Sequence, residues 1–366
     1  MARKLRFDKP LFLATFLLVC ASVVMVYSAS AVMALERYQQ PYFFLIKQVM
    51  WAALGIAVLT IVMRVDYRSY RSPTFLWGSL GVVSVALVLV LFSPPINGVR
   101  RWFSVGGIGV QPSELAKLCA IFFIAALLER RMHRIDEVSY ALAPIAIAVG
   151  LLVSLILLEP DFGTAMSLMT IAAVMVFAAG LSYRYLVGAL LVGCPVMYFV
   201  LMSAEYRRQR LLAFWNPWDD PLGNGFQIIQ SLIAVGTGGV FGRGLMEGVQ
   251  KLFYLPEPHT DFIYAVIGEE LGLIGATVVL ACFCVIAWRG LQIAMKAPDS
   301  FGAFLAVGLT TMIALQAFVN ISVVLGLLPT KGLPLPFVST GGSSLLINLL
   351  GMGILLNVSQ HVTSER

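Results

Sequence analysis

Residues 262–288 read FIYAVIGEELGLIGATVVLACFCVIAW. Apart from Glu269 and Glu270 the stretch is apolar or small, and it exceeds the roughly 17–25 residues that carry a helix across the hydrocarbon of a bilayer. Backbone amides in lipid have no water to pair with, so such a run must satisfy itself as a helix. Two adjacent carboxylates inside it do not suit a lipid-facing surface. A pairing of one of them with Lys47 or Lys117 would account for it.

Working outward, the same reading recurs at Leu11–Ala31, Phe43–Met63, Thr74–Ser93, Pro112–Leu128, Ser139–Leu158, Phe162–Gly180, Tyr185–Met202, Phe301–Leu327 and Gly341–Val358, giving about ten spans. The chain is 59% hydrophobic and 12% charged. A soluble domain carries roughly twice that charge. The fold class is therefore all-α: a polytopic membrane helix bundle forming one domain over residues 1–366. The basic head, apolar run and Ser28-Ala29-Ser30-Ala31 resemble a secretory signal. The run is longer than most signal cores, so it is read as a retained first span.

Basic residues in short loops set the orientation. Arg3, Lys4, Arg6, Lys9, Arg64, Arg68, Arg71, Arg130, Arg131, Arg134, Arg184, Arg289, Lys296 and Arg366 fall on one side. Only Arg37, Arg100, Arg101 and Lys331 occupy short loops on the other. Both termini are then cytoplasmic, and the long segment 203–261 is a large extracytoplasmic loop. Within it, Phe226–Val235 suggests a short helix lying in the interface. The net charge of +6 is explained by topology and anionic headgroups, and no nucleic-acid partner is expected. The five cysteines lie in apolar runs without zinc-like spacing, and are read as packing residues.

Ionisable residues gather at the outer helix ends. Asp261 closes the run Phe253-Tyr254-Leu255-Pro256-Glu257-Pro258-His259-Thr260-Asp261. As a helix N-cap, Thr260 or Asp261 would stabilise by about 1 kcal/mol, and the helix terminus would lower the carboxyl pKa. A general base near neutral pH needs the opposite shift, from desolvation or neighbouring acids. Alternatively Asp261 stays ionised and holds a divalent cation. Glu114 and Lys117, three apart, share one helix face and offset each other's insertion cost. Glu159-Pro160-Asp161 forms a very short outward turn, so Asp161 sits at the depth of Glu114 and Asp261. Arg100, Arg101, Arg207, Arg208 and Arg210 are outward guanidinium groups suited to phosphate, or to lipid headgroups by snorkelling. No P-loop, dinucleotide fingerprint or HExxH motif is present.

Several strings together resemble the SEDS family (shape, elongation, division and sporulation): Gln111-Pro112-Ser113-Glu114, Glu159-Pro160-Asp161-Phe162-Gly163-Thr164, Tyr206-Arg207-Arg208-Gln209-Arg210, Leu255-Pro256-Glu257-Pro258-His259-Thr260-Asp261-Phe262, Gly268-Glu269-Glu270-Leu271-Gly272 and Pro336-Phe337-Val338-Ser339-Thr340-Gly341-Gly342-Ser343-Ser344. Pro258 and Pro329-Thr330-Lys331-Gly332 look most like the FtsW/SpoVE branch. Thr340 departs from the family's usual tyrosine, which removes a ring from that motif.

The resemblance implies a peptidoglycan glycosyltransferase that polymerises lipid II, with Asp261 as the catalytic residue. Glu114, Lys117, Asp161, His259, Thr260 and Glu269 would support a polar cavity. Arg101, Arg207, Arg208, Arg210 and Lys331 would face the substrate pyrophosphate, with Lys117 a further candidate cation. A divalent cation, Mg or Mn, is the one cofactor to consider. Implied partners are a class B penicillin-binding transpeptidase and other membrane proteins of the division machinery, in the bacterial cytoplasmic membrane at the septum. A lipid II flippase or a non-catalytic scaffold are the competing readings, and cell elongation or sporulation are the alternatives to division. The outer crowding of the motifs favours surface chemistry over transport.

Overall fold

A computed structural model describes residues 7–95, 98–105, 108–203, 205–252 and 254–362. Arg3, Lys4, Arg6, Phe253 and Arg366 lie outside the described residues. The side chains of Cys194, Tyr206 and Arg207 are likewise not described. The chain order is α1 (Lys9–Tyr38), α2 (Phe43–Val62), α3 (Pro73–Val90), the hairpin β1 (Phe103–Val105) and β2 (Ile108–Val110), then α4 (Pro112–Arg131) and α5 (Ala143–Leu158). It continues with α6 (Phe162–Ala178), α7 (Tyr183–Met202), α8 (Glu205–Trp215), α9 (Phe226–Gly238), α10 (Ile263–Lys296), α11 (Ser300–Val324) and α12 (Gly342–His361).

Each expected span is realised as a helix. Among the described residues, seven helices are long and apolar enough to cross a membrane. The starts are written locally. Asp8, Ser72, Asp161 and Asp299 each accept a hydrogen bond from an amide of the first turn of α1, α3, α6 and α11, pairing donors that the helix leaves open. Prolines open α3 and α4, where a missing N–H costs nothing. The antiparallel hairpin, with Phe103 opposite Val110, was not anticipated.

Tertiary ties sort the helix ends into two groups that match the charge-based orientation. At the end that the charge pattern assigns to the cytoplasm, Arg289 near the end of α10 meets Asp8 before α1 at 2.9 Å, and the Asp8 amide donates to Ser359 Oγ of α12 at 3.2 Å. The Tyr67 amide donates to Asn357 Oδ1 at 3.0 Å, and its hydroxyl to Asp299 Oδ2 at 2.6 Å. At the opposite end, the segments before α10 and α12 bond each other and the last turn and a half of α11.

Three expectations are corrected. The stretch 262–288 is not one straight helix, because α10 breaks at Gly272, where φ is 66° and ψ −165°. A side chain there would be strained by the positive φ, and its Cβ would collide with the Gly242 amide. Second, α9 does not lie flat in the interface. It bonds α11 near its outer end, through Ser231 Oγ to the Val324 carbonyl at 2.7 Å. It then descends along α10 until Gly238 meets the Gly268 carbonyl so closely that a Cβ would collide. Residues 239–251 continue this inward segment, and part of its backbone bonds α10 around the break: the Arg243 and Gly244 amides donate to the Glu269 and Glu270 carbonyls, and the Leu273 amide donates to the Gly239 carbonyl. Third, Glu270 pairs with Lys251 at 2.6 Å, not with Lys47 or Lys117. Of the cysteines, Cys119 and Cys282 are buried in packing, whereas Cys20 and Cys284 are exposed on helix faces.

Candidate functional site

Asp261 does not cap α10: the helix begins at Ile263, and no side chain supplies its cap. Its backbone is instead strapped to the segment preceding α12. The His259 carbonyl accepts from the Thr340 amide at 2.9 Å, and the Thr260 carbonyl accepts from Ser339 Oγ at 2.5 Å. The Asp261 carbonyl accepts from Asn320 Nδ2 at 2.8 Å, and the same amide group donates to the Leu333 carbonyl at 2.7 Å. His259 is buried against the Phe44 ring, centroid to centroid 4.5 Å. Burial holds its imidazole below the ordinary pKa, against a weaker opposing pull from Glu257.

The short segment Thr330–Pro334 organises the charges. Gly332 lies against the Asp261 carboxylate, where a Cβ would come within 2.7 Å of Oδ2. The Lys331 side chain runs over Gly163, in space that a Cβ would fill, and brings its ammonium near Asp161. Arg210, from α8, donates to the Thr330 carbonyl at 3.2 Å, and its charge acts on Asp261. On α4, Glu114 and Lys117 form a buried pair at 2.9 Å. Lys117 also donates to Gln316 Oε1 at 3.1 Å, and Gln316 donates to the Pro334 carbonyl at 2.8 Å. Asp161 accepts from Gln111 at 3.1 Å and from the Thr164 hydroxyl at 2.8 Å. Arg101 donates to the Glu159 and Pro160 carbonyls, fixing the turn that presents Asp161.

Asp261, Asp161, Glu114, Lys117, Lys331 and Arg210 are thereby gathered around one strand of backbone. The electrostatics differ from the helix-terminus expectation. Burial, reinforced by Glu257 and opposed by Arg210, raises the Asp261 carboxyl to about 6. Burial lowers Lys331 to about 8, with Asp161 opposing and Lys117 adding to the fall. Several buried polar atoms here have no partner among the described residues: Glu114 Oε2, Asn320 Oδ1, Thr340 Oγ1 and both carboxylate oxygens of Glu159. Such atoms are normally satisfied by water or a ligand.

Not every candidate joins this group. Arg208 pairs with Glu205 of its own helix at 2.8 Å, and both are exposed. Glu269 sits deeper, where the amides of Val249 and Gln250 donate to it. Arg207 lies on α8. Gln111, Gly163 and Gly332 stand in the quoted motifs without a role of their own, and Gln316 and Asn320 lie outside those motifs. Gln316 and Asn320 stand four apart in an apolar span, a helical-face signal that could have revealed them. Among the described residues, no three His, Cys, Asp or Glu side chains assemble as a metal-binding group. A Mg ion commonly takes one or two carboxylates together with substrate phosphates, so Asp261 could hold one only in that shared manner.

A family model for cell cycle proteins of the FtsW, RodA and SpoVE kind matches residues 9–364. The chain belongs to this family. A protein of Geobacter metallireducens named probable peptidoglycan glycosyltransferase FtsW is 46% identical over 98% of this chain and 96% of its own length. Stage V sporulation protein E of Bacillus subtilis is 44% identical over 97% of each chain. A solved chain from work on the structural coordination of polymerization and crosslinking by a peptidoglycan synthase complex aligns with a TM-score of 0.81 at 31% identity, covering 97% of this chain and 98% of that one. The rod shape determining protein RodA of Thermus thermophilus aligns with a TM-score of 0.73 at 27% identity, over 99% of both. Like these relatives, the chain is a multi-pass membrane protein of helices.

Proposed function

We propose that this chain is a peptidoglycan glycosyltransferase that polymerises lipid II into β-1,4 glycan at the outer face of the cytoplasmic membrane. The observation that carries the reading is the placement of Asp261, a carboxyl raised to about 6, against Gly332 and within the influence of Arg210, with the neighbouring Lys331 reaching toward Asp161 at the same end of the bundle.

Asp261 accepts the proton of the acceptor sugar's 4-hydroxyl. The oxygen attacks the donor's anomeric carbon, the bond to the pyrophosphate breaks on the opposite face, and undecaprenyl pyrophosphate leaves with the bonding electrons. Inverting sugar transfer needs this separation of base and departing group. The departing charge needs preorganised cations, and Lys331, Arg210, Arg101 and Lys117 are the side chains in reach of the role. Asp161 lies near Lys331 and favours its charged form, and Glu114 keeps Lys117 compensated. If a divalent cation binds, it would supply further charge for the pyrophosphate.

The similarity to a chain of a peptidoglycan synthase complex supports a class B penicillin-binding transpeptidase as partner, and the relatives named FtsW support a place at the division septum. The deciding experiment uses purified protein and lipid II in detergent. Glycan strands should form, although no leaflet barrier exists there. The Asp261→Ala protein should insert and purify normally yet form none. A flippase or scaffold would make no polymer in either case, and a polymerising Asp261→Ala protein would remove the catalytic assignment.

A further inference from the structure

A second buried polar cluster lies deeper than the group around Asp261. Lys251 Nζ meets Glu270 Oε1 at 2.6 Å, and donates to Ser28 Oγ of α1 and to the Met246 carbonyl, each at 2.9 Å. Glu270 also accepts from the Ser28 hydroxyl at 2.7 Å and from the Met246 amide at 3.0 Å. The neighbouring Glu269 accepts from the amides of Val249 at 2.8 Å and Gln250 at 3.2 Å. Gly248 fits between the two carboxylates, where a Cβ would lie 3.0 Å from Glu270 Oε1. The sugar-transfer chemistry leaves Lys251, Glu270 and Ser28 without a role.

Their position in the chain is informative. The break at Gly272 separates Ile263–Leu271 from the rest of α10, so the long helix cannot by itself hold the part that follows Asp261. The lower end of this half-helix is tied to the inward segment instead. The Arg243 and Gly244 amides donate to the Glu269 and Glu270 carbonyls at 3.0 Å each, and the Leu273 amide donates to the Gly239 carbonyl at 2.9 Å. The pair Lys251–Glu270 then joins residues nineteen positions apart. It closes a ring whose outer portion runs from Leu255 to Asp261. Both chain directions leaving Asp261 end on this one ion pair. A cavity of about 280 Å³ lined by Ser28, Met246, Gly248 and Lys251 adjoins it, leaving room for movement once the pair is broken.

A buried ion pair adds little net stability over apolar packing, and its best-attested use is to fix one arrangement among several. We propose that Lys251 and Glu270 are positioning residues, whose pair, anchored on Ser28, locks the half-helix Ile263–Leu271 and so holds Asp261 against Gly332. This rests on the polymerase reading above. The half-helix rises roughly 1.5 Å per residue, so a small tilt at the lock is carried to the carboxylate at the other end.

The experiment compares wild type, Lys251→Met, Lys251→Arg and the double variant Lys251→Met/Glu270→Gln, purified in detergent with lipid II as substrate. Lys251→Met leaves a buried charge alone, and the double variant removes that penalty, so thermal stability should fall and then recover. Turnover should not recover with it. In the double variant kcat should stay about tenfold or more below wild type, with KM for lipid II changed by less than about twofold. Lys251→Arg should restore most of kcat. Amide hydrogen exchange in residues 263–271 of the double variant should quicken, while residues 273–296 stay as in wild type. A folded double variant with wild-type kcat, or with unchanged exchange over 263–271, overturns the lock. If the double variant does not fold, Ser28→Ala serves, with faster exchange over 263–271 expected and unchanged exchange overturning the proposal. If wild type itself makes no glycan, the polymerase reading fails, while the exchange measurement still decides the lock.

Discussion

Gly332 and Asp261 are in direct apposition: a Cβ at position 332 would stand 2.7 Å from Asp261 Oδ2. A methyl group at 332 must therefore displace the carboxylate or the segment that carries Lys331. Misplacing a reacting group by about 1 Å can cost 10²-fold in rate. Gly332→Ala should therefore lower kcat for glycan synthesis by at least about tenfold, with protein yield and thermal stability close to wild type. Steady-state assays with lipid II, alongside a melting curve, check this. Normal kcat in Gly332→Ala would mean that the carboxylate does not work from the observed position.

The two shifted groups set a pH window. Asp261 loses its proton near 6, and Lys331 loses its charge near 8. A base works only when deprotonated, and an ammonium offsets phosphate charge only when protonated, so kcat/KM should rise through about pH 6 and fall above about pH 8. Glu257 raises the Asp261 pKa and Arg210 lowers it. Glu257→Gln should accordingly move the acid limb to lower pH, and Arg210→Gln should move it to higher pH. Lys331→Arg should extend the alkaline limb, because a guanidinium does not lose its proton in this range. A pH–rate profile on each variant measures all three shifts, and an acid limb that ignores both Glu257 and Arg210 would detach it from Asp261.

The helices were legible because membrane spans are set by local physics: length, apolarity and capping residues such as Asp8, Ser72 and Asp299 decide them. The outer position of Asp261, Glu114 and Asp161 followed from the same count of spans. What the sequence left open depends on tertiary contacts. Gly272 is one glycine among several in its run, and it breaks the helix because the backbone of Gly239–Gly244 supplies replacement hydrogen bonds there. Lys251 counts as one more outward basic residue until α9 is seen to carry the following segment inward. The Asp261 pKa reverses direction for a similar reason. Its helix-end location was readable, but the burial that raises the carboxyl depends on segments far along the chain, among them Gly332 and the stretch before α12.

The Glu114–Lys117 pair allows a separation of stability from chemistry. Both groups are buried on α4 at 2.9 Å, and Lys117 also holds Gln316. Removing one partner leaves an uncompensated buried charge, which typically costs about 3–5 kcal/mol. Lys117→Met should thus be strongly destabilised, and Lys117→Met/Glu114→Gln should regain most of the loss. If Lys117 also faces the pyrophosphate, the double variant will be stable and still slow. Melting temperature and kcat measured on the same preparations distinguish the two contributions, and equal stability of the single and double variants would contradict a buried pair.

Glu159 is the last group whose behaviour the geometry fixes. Its side chain is fully buried in the turn after α5, and neither carboxylate oxygen has a partner among the described residues. Burial first, and the nearby Asp161 second, raise its pKa to about 8, while Arg101 opposes them. In the unfolded chain the group ionises near the ordinary glutamate value of about 4.3. Between these values the folded protein binds more protons than the unfolded one. Stability should therefore fall as pH rises across that window, and it should be greatest below it. Glu159→Gln mimics the protonated form and should flatten this dependence, leaving the protein more stable than wild type above pH 8 and near wild type at pH 5. Chemical unfolding in detergent at pH 5, 7 and 8.5 gives the comparison. A Glu159→Gln protein whose stability still declines with the wild-type slope would place the responsible proton on another residue.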